Sequence, residues 1–406
     1  MQRKYFSVLV FSLVFLSISN LNARIRIVND FNFAATQTRS LLLEVKDSVK
    51  IPRSLSHDKS SVRCVNIQDW TSGFFSGNLW YLYEYFKDDF WKKNAELYMN
   101  KLESNQYFNQ HHDVGFIMYS SYGNAYRLTG NEKYKTILIN SAKSLATRYF
   151  DKPGVIRSWD YKKSWSGNEW HCPVIVDNLM NLELLFFASK VTNNSYYKNI
   201  AISHAEKTLK NNIRSDYSCF HVVNYDTISG KVMDKATYQG FSDNSTWARG
   251  QGWCIYGFTM IYRETKKSEF LNAAMKMADY YLQNSNLPKD KIPYWDFNVN
   301  KPGYIPNWKY DITKYNEVPR DASAAAIVAS GLLELSTYAG NKGNEYFKAG
   351  ESILKSLSED YKADKYFILD HSVGNFPGNG EIDVPIIYAD YYYLEALLRY
   401  KRITKN

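Results

Sequence analysis

Four stretches of this chain repeat one pattern, and that recurrence limits the possible folds more than any other feature. They are GNEKYKTILINSAKSLATRYF from Gly130, NNSYYKNIAISHAEKTLKNNI from Asn193, KKSEFLNAAMKMADYYLQN from Lys266 and GNEYFKAGESILKSLSEDY from Gly343. Each opens on a polar turn and then an aromatic residue: Tyr134, Tyr197, Phe270 or Tyr346. Apolar or small residues follow at helical spacing, which predicts amphipathic outer helices. Before each runs a second helical stretch: Gly115–Leu128, Leu179–Val191, Gly250–Thr265 and Ala322–Tyr338. These are poor in charge and rich in Ala, Gly, Ser, Met and aromatic residues. A helix apolar on most sides is a buried one. A further pair starts at Gly73 (GFFSGNLWYLYEYF, then FWKKNAELYMNKL). A last inner helix fits Asp390–Tyr400, with an early helix around Thr36–Leu55 as its partner. Six helical hairpins closing into a ring predict an all-α (α/α)6 barrel. Strand signals are confined to connections such as Phe220–Tyr225.

At 406 residues the chain suits one large helical barrel, and 45% apolar residues supply its core. Residues 24–406 read as a single domain. Before them, Arg3 and Lys4 precede an apolar run from Phe6 to Ile18 and a short polar exit to Ala23. That order reads as a secretory signal over residues 1–23, with cleavage near Ala23 and an exported, periplasmic or secreted product. The run is shorter than the roughly 20 residues a membrane span needs, so no stable membrane insertion is expected. Cys64, Cys172, Cys219 and Cys254 form no CxxC pair, leaving one or two disulfides and free buried thiols as alternatives. No GxxxxGK[ST], HExxH or strand-linked GxGxxG is present, so nucleotide and zinc chemistry have no motif support.

The net charge of +9 favours an anionic partner only weakly. The lysines are spread along helical faces without a concentrated basic block, so no nucleic-acid partner is expected. Aromatic content is more telling: 34 Tyr and 10 Trp suit either bulky helix packing or a groove that stacks on sugars.

In such a ring the loops entering the inner helices meet at one end, and polar residues cluster there. They are Asp69–Gly73, His111-His112-Asp113, Asp177-Asn178, Gln239–Gln251, Arg320–Ser323 and Tyr388–Asp390. Helix N-termini favour capping carboxylates, so a cap is the plain reading of any one aspartate here. Six such clusters at one rim ask for more.

Several of these motifs resemble the unsaturated glucuronyl hydrolases of glycoside hydrolase family 88. The resemblance lies in Trp70–Phe75 with Leu79-Trp80, His112–Phe116, Val174–Asn178 with Asn181-Leu182-Glu183, and Gln239-Gly240-Phe241 with Asp243 and Trp247–Gln251. Arg320–Ala324 and Tyr388–Tyr392 extend it over about residues 65 to 400. It implies the same (α/α)6 barrel. It also implies that Asp177 is general acid and base, with Asp113 assisting beside it. Substrate contacts would fall on Trp70, His112, His221, Gln239, Trp247, Arg249 and Trp253. The loop His371–Asp383 would border the aglycone side. Neither a metal nor a cofactor is implied.

The family's substrate is the sugar left by a polysaccharide lyase, an enol ether with a C4=C5 double bond conjugated to its carboxylate. A proton at C4 makes a cation shared by C5 and the ring oxygen, and water then adds at C5. The ring opens and the glycosidic bond is lost, without the displacement at C1 that ordinary two-carboxylate glycosidases use. Such a site needs one proton, one water and a carboxylate clamp. Two close carboxylates resist joint ionisation, so Asp113 is expected to raise the pair's upper apparent pKa. Arg249 could clamp the carboxylate through its planar fork, or pair with Asp243. Trp70, Trp247 and Trp253 could face sugar rings or fill the core. His112 and His221 lack zinc-site spacing and read as hydrogen-bonding residues. Other readings are an unsaturated rhamnogalacturonyl hydrolase, an ordinary inverting glycosidase, and a non-catalytic glycan-binding protein. A pure binder has no need of both aspartates.

Overall fold

Several inner helices hand over to their outer partners through the same small turn. The computed structural model describes residues 27–46 and 48–405, so the signal expected at 1–23 lies outside the described residues. Helix α1 covers 27–44. Then follow α2 (Ser72–Phe86), α3 (Asp89–Asn100), α4 (Val114–Met118), α5 (Asn124–Thr129), α6 (Glu132–Ala146) and α7 (Asn178–Thr192). The second half holds α8 (Ser195–Asn211), α9 (Ala248–Thr265), α10 (Ser268–Gln283), α11 (Ala322–Ser336), α12 (Gly343–Asp360) and α13 (Ile387–Thr404). A π turn, Tyr119–Gly123, joins α4 to α5 into one inner helix. Four inner helices that lead into an outer helix end on a left-handed residue: Lys87, Gly130, Asn193 and Lys266. That conformation closes the last turn and reverses the chain. In three of them the next side chain, Asp88, Asn131 or Asn194, caps the outer helix.

The inner helices α2, α4, α7, α9, α11 and α13 touch in that order, and α13 returns to α2, so the ring closes. Nearly every residue of α11 is buried. The outer helices bury one stripe each. On α12 that stripe is Tyr346, Ala349, Gly350, Ile353, Leu354 and Leu357, a spacing of three and four. The four aromatics of the repeat, Tyr134, Tyr197, Phe270 and Tyr346, are all buried. They plug each outer helix onto the ring.

The early helix differs from expectation. It lies at 27–44, and Ile51–Leu55 is a strand paired with Val62–Val65. The α1 residue Phe31 stacks on Tyr85 at 3.8 Å, and Asp30 accepts from Ser358 on α12 at 2.6 Å. It is therefore the outer partner that closes the sixth hairpin. Strands are also commoner than expected. Pro173–Ile175, Val222–Tyr225 and Val232–Ala236 form a three-stranded sheet, and Ser372–Asn375 pairs with Gly380–Val384. Among the described residues no helix is long and apolar enough to cross a membrane.

Candidate active site

Five aspartates of the rim loops stand at or near inner-helix starts, and they behave differently. Asp69 accepts from Thr71 N at 2.9 Å and pairs with Arg53. Asp321 caps α11 through Ser323 N and Ala324 N. Asp390 accepts the buried N–H groups of Ile368 and Leu369. Those three are structural. Asp113 and Asp177 occupy the N-cap positions of α4 and α7, yet neither side chain makes a capping bond. Both are largely buried. A buried carboxylate that does not serve its own helix is held for something else.

Each is held against histidine. Asp113 Oδ1 lies 3.3 Å from His112 Nε2, and Oδ2 lies 3.1 Å from His111 Nδ1. Asp177 Oδ2 lies 3.6 Å from His221 Nε2 and has no hydrogen-bond partner. Burial pushes the Asp113 carboxyl up, but the neighbouring His112 and His111 outweigh it and hold Asp113 below the usual carboxylate range. Burial pushes the His112 imidazole down, against the attraction of Asp113 and, more weakly, Asp177. His112 thus feels both carboxylates.

Ser158 explains why the two loops meet. Its carbonyl accepts from His112 N at 3.1 Å, its N–H donates to Pro173 O at 2.9 Å, and its hydroxyl accepts from Ile175 N at 3.0 Å. One residue therefore joins the Asp113 loop to the strand that ends at Asp177. The adjacent strand then sets His221 beside Asp177, because Val176 N donates to His221 O at 3.1 Å. Arg148 locks the same corner, with its guanidinium on the carbonyls of Asn109, Arg157 and Ser158. Ser158 sits in no motif, and Arg148, at the end of the first recurring stretch, has no counterpart there that would mark it.

The other expected contacts divide. Trp70 keeps part of its ring exposed, and its centroid lies 5.4 Å from that of Phe116 and 4.8 Å from that of Tyr388. Trp253 is 0% exposed and wedged between Phe116 and Tyr392. Trp247 is 2% exposed, between the His221 ring at 4.6 Å and the Arg249 guanidinium at 4.4 Å. Neither offers a free face to a sugar, so the stacking expectation fails for both: their rings support the site from behind. Trp253 Nε1 and Arg249 Nε remain buried without hydrogen-bond partners.

Arg249 does not pair with Asp243. Its Nη1 meets Asp321 Oδ2 at 3.0 Å and the carbonyl of Val373, and its Nη2 takes the carbonyl of Gly374. Both arms of the fork expected to clamp the substrate carboxylate are therefore occupied. Asp243 instead accepts from Thr237 N and Asn307 Nδ2. Gln239 donates through Nε2 to Gly374 O at 3.0 Å. The expected His371–Asp383 loop is thus a β-hairpin pinned over the rim by Arg249 and Gln239.

All four cysteines are free thiols. Among the described residues no group of three or more His, Cys, Asp or Glu side chains is placed to hold a metal. A cavity of about 450 Å³ opens at the other end of the ring, lined by Tyr81, Tyr119, Glu183, Arg263, Glu395 and Arg399 among others. None of the expected catalytic or substrate-binding residues lines it. Arg263 and Arg399 there pair with Glu183, Glu334 and Glu395.

A model of glycosyl hydrolase family 88 matches residues 47–392. The chain is 48% identical over 354 residues to a Formosa agariphila protein named unsaturated glucuronyl hydrolase, covering 86% of this chain and 84% of that one. It is 34% identical over 343 residues to an unsaturated chondroitin disaccharide hydrolase of Streptococcus agalactiae, covering 82% and 81%. Among solved structures, an unsaturated glucuronyl hydrolase described as specific for heparin superposes with a TM-score of 0.82 at 43% identity, covering 92% of this chain and 98% of that chain. The Streptococcus agalactiae unsaturated glucuronyl hydrolase superposes with a TM-score of 0.81 at 31% identity, covering 93% and 92%. With the family match spanning most of an (α/α)6 barrel, the chain belongs to glycosyl hydrolase family 88 and is a glycosidase of the unsaturated glucuronyl hydrolase kind.

Proposed function

We propose that this glycosidase removes the 4,5-unsaturated uronic acid from the non-reducing end of lyase-generated glycosaminoglycan-type oligosaccharides. The observation that carries the reading is the pair Asp113 and Asp177, N-cap carboxylates that cap nothing and are each held against a histidine. The names of the similar proteins, one acting on chondroitin disaccharides and one specific for heparin, support the glycosaminoglycan class.

Asp177 is the proton donor. Its carboxyl proton passes to C4, the π electrons form the C4–H bond, and positive charge spreads over C5 and the ring oxygen. Water adds to C5 and returns a proton to the Asp177 carboxylate. The hemiketal at C5 then opens to a ketone, C1 becomes a hemiacetal, and the aglycone leaves. General acid catalysis of this type contributes about 10²–10⁴-fold. Asp113 stays ionised beside His112 and His111. Trp70 supplies the ring surface nearest solvent.

The test is turnover of a lyase-derived chondroitin disaccharide in heavy water. One deuterium should appear at C4 as the alkene absorbance decays. A product without deuterium at C4, or equal cleavage of the saturated disaccharide, overturns the mechanism. A panel of chondroitin, hyaluronan, heparin and unsaturated rhamnogalacturonan fragments tests the substrate class: preference for the last would reassign it to pectin.

The Phe6–Ile18 run behind Arg3 and Lys4 supports export to the periplasm or beyond. Mass spectrometry of the protein from its native host should find a mature N-terminus near residue 24, and an intact N-terminus in the cytoplasmic fraction alone refutes export.

A further inference from the structure

Asn181 lies one turn into α7 from Asp177, and its Oδ1 accepts the Phe116 N–H at 2.7 Å. That bond fixes the amide: an oxygen must face an N–H, so Nδ2 points the other way. The two helices meet closely here: a β-carbon on Gly115 would come within 2.6 Å of the Asn181 Cα. On the Nδ2 side stands His112 Nδ1 at 3.4 Å. An amide NH2 can only donate, so Nδ1 offers its lone pair and the imidazole proton sits on Nε2. His112 Nε2 is the atom facing Asp113 Oδ1.

The second histidine repeats the arrangement with different donors. His221 Nδ1 receives the N–H groups of Tyr238 at 3.1 Å and Gln239 at 3.2 Å. Its Nε2 is the atom facing Asp177 Oδ2. Both rings are thus held from behind by N–H donors and turn Nε2 toward a carboxylate.

We propose that Asn181 is a positioning residue which, with the Tyr238–Gln239 backbone, holds His112 and His221 as neutral Nε2–H tautomers, each presenting one N–H to a catalytic aspartate. This rests on the catalytic reading of Asp113 and Asp177. A neutral His112 turns its Nε2–H dipole toward the Asp113 anion, 3.3 Å from Oδ1, without bringing a second mobile proton to the site. A doubly protonated His112 would set an N–H against the Asn181 N–H, cancel the Asp113 charge and compete with Asp177 as acid. The groups facing His112 are His111, Asp113, Asp177, Asn178 and His204. His204 accepts from Ile156 N through its own Nδ1 at 3.0 Å and is itself fully buried, and His111 Nδ1 accepts the Asp113 N–H at 3.1 Å.

Nitrogen-15 NMR of the histidine-labelled full-length enzyme without substrate tests this directly. Near neutral pH, His112 and His221 should each show an unprotonated Nδ1 and a protonated Nε2. A proton on Nδ1 of His112 overturns the proposal. Asn181→Asp keeps an oxygen for Phe116 N–H but turns the donor into an acceptor. It should move the His112 proton to Nδ1 or charge the ring, lower kcat roughly 10–100-fold, leave KM nearly unchanged and shift the acidic limb of the kcat profile. Unchanged His112 signals and an unchanged profile in that variant would reduce Asn181 to a staple between α4 and α7. If the variant does not fold, the wild-type spectrum still decides. The tautomers are read without turnover, so they can fail while Asp177 stands as acid. Equally, an active Asp177→Asn enzyme would remove the mechanism and leave the spectra untouched.

Discussion

Arg249 Nη1 lies 3.0 Å from Asp321 Oδ2, with both side chains withdrawn from solvent. The other Asp321 oxygen caps α11 and receives Ser323 Oγ. This carboxylate therefore ties the first turn of α9 to the start of α11 and, through Arg249, to the rim hairpin. Removing one partner of a buried, hydrogen-bonded pair costs about 3–5 kcal/mol. Asp321→Ala should lose that much in urea unfolding. Asp243→Ala gives up an exposed-side partner in Asn307 and one backbone bond, and should lose only about 1 kcal/mol. Equal losses would return Asp243 as the partner of Arg249.

Because neither Asp113 nor Asp177 caps its helix, changing either carboxyl to an amide should leave the barrel standing. Asp177→Asn should lower kcat by about 10²–10⁴-fold, read as loss of the decay in alkene absorbance, with the unfolding midpoint near the wild-type value. Asp113→Asn should also fall, because the amide removes the negative charge held beside His112 and His111 at the site. Near-normal decay in Asp177→Asn would remove it as the acid.

Much of this was legible in the sequence, for identifiable reasons. Inner helices are apolar all round and outer helices carry one stripe, so composition alone separates them. The ring was legible because the hairpin repeats. What escaped is what depends on contacts distant in sequence. Arg249 finds a partner 72 residues away, whereas sequence proximity favours Asp243. Residue type gives no depth, so Trp70, Trp247 and Trp253 look alike until two of them prove to be packed behind the site. Ile51–Leu55 contains a proline and is too short to alternate visibly, so it reads as the tail of a helix. Ser158 joins the two aspartate loops mainly through backbone bonds, which no side-chain pattern records.

The far mouth of the ring makes a separate prediction. Arg263 meets Glu183, Glu264 and Glu334, and Arg399 meets Glu334 and Glu395. Arg263 stands in the last turn of α9, where free carbonyls favour positive charge. Arg263→Met would leave Glu183 and Glu334 without their shared cation. The side chain keeps some solvent contact, so the loss should be about 2–3 kcal/mol, below that of a fully buried pair. The kcat of the folded fraction should not change, because no expected catalytic residue lines that cavity. A large fall in kcat with stability intact would give this end a part in the reaction.

Asp390 sets the last expectation, on how stability varies with pH. It lies in the first turn of α13, fully buried, accepting from Leu369 N at 2.9 Å and Ile368 N at 3.0 Å. Burial pushes its carboxyl from 3.8 up to about 8, because the two N–H bonds only partly offset the desolvation of the charge. Below about pH 4 the folded and unfolded chains both hold this proton, and its stabilising effect is complete. As pH rises toward about 8 the unfolded chain has released the proton while the folded chain retains it, so stability falls across that window. The slope approaches about 1.4 kcal/mol per pH unit for one proton. Asp390→Asn keeps a carbonyl acceptor and cannot ionise, so its stability curve should lack this component. Carboxylates paired with arginine, such as Glu381 with Arg53, contribute the opposite slope, but they are present in both proteins and cancel in the difference. Urea unfolding from pH 4 to 8 should therefore show the wild type losing ground steadily to the variant. Parallel curves would mean that the folded chain holds Asp390 ionised, with the two backbone N–H groups sufficient to keep its charge.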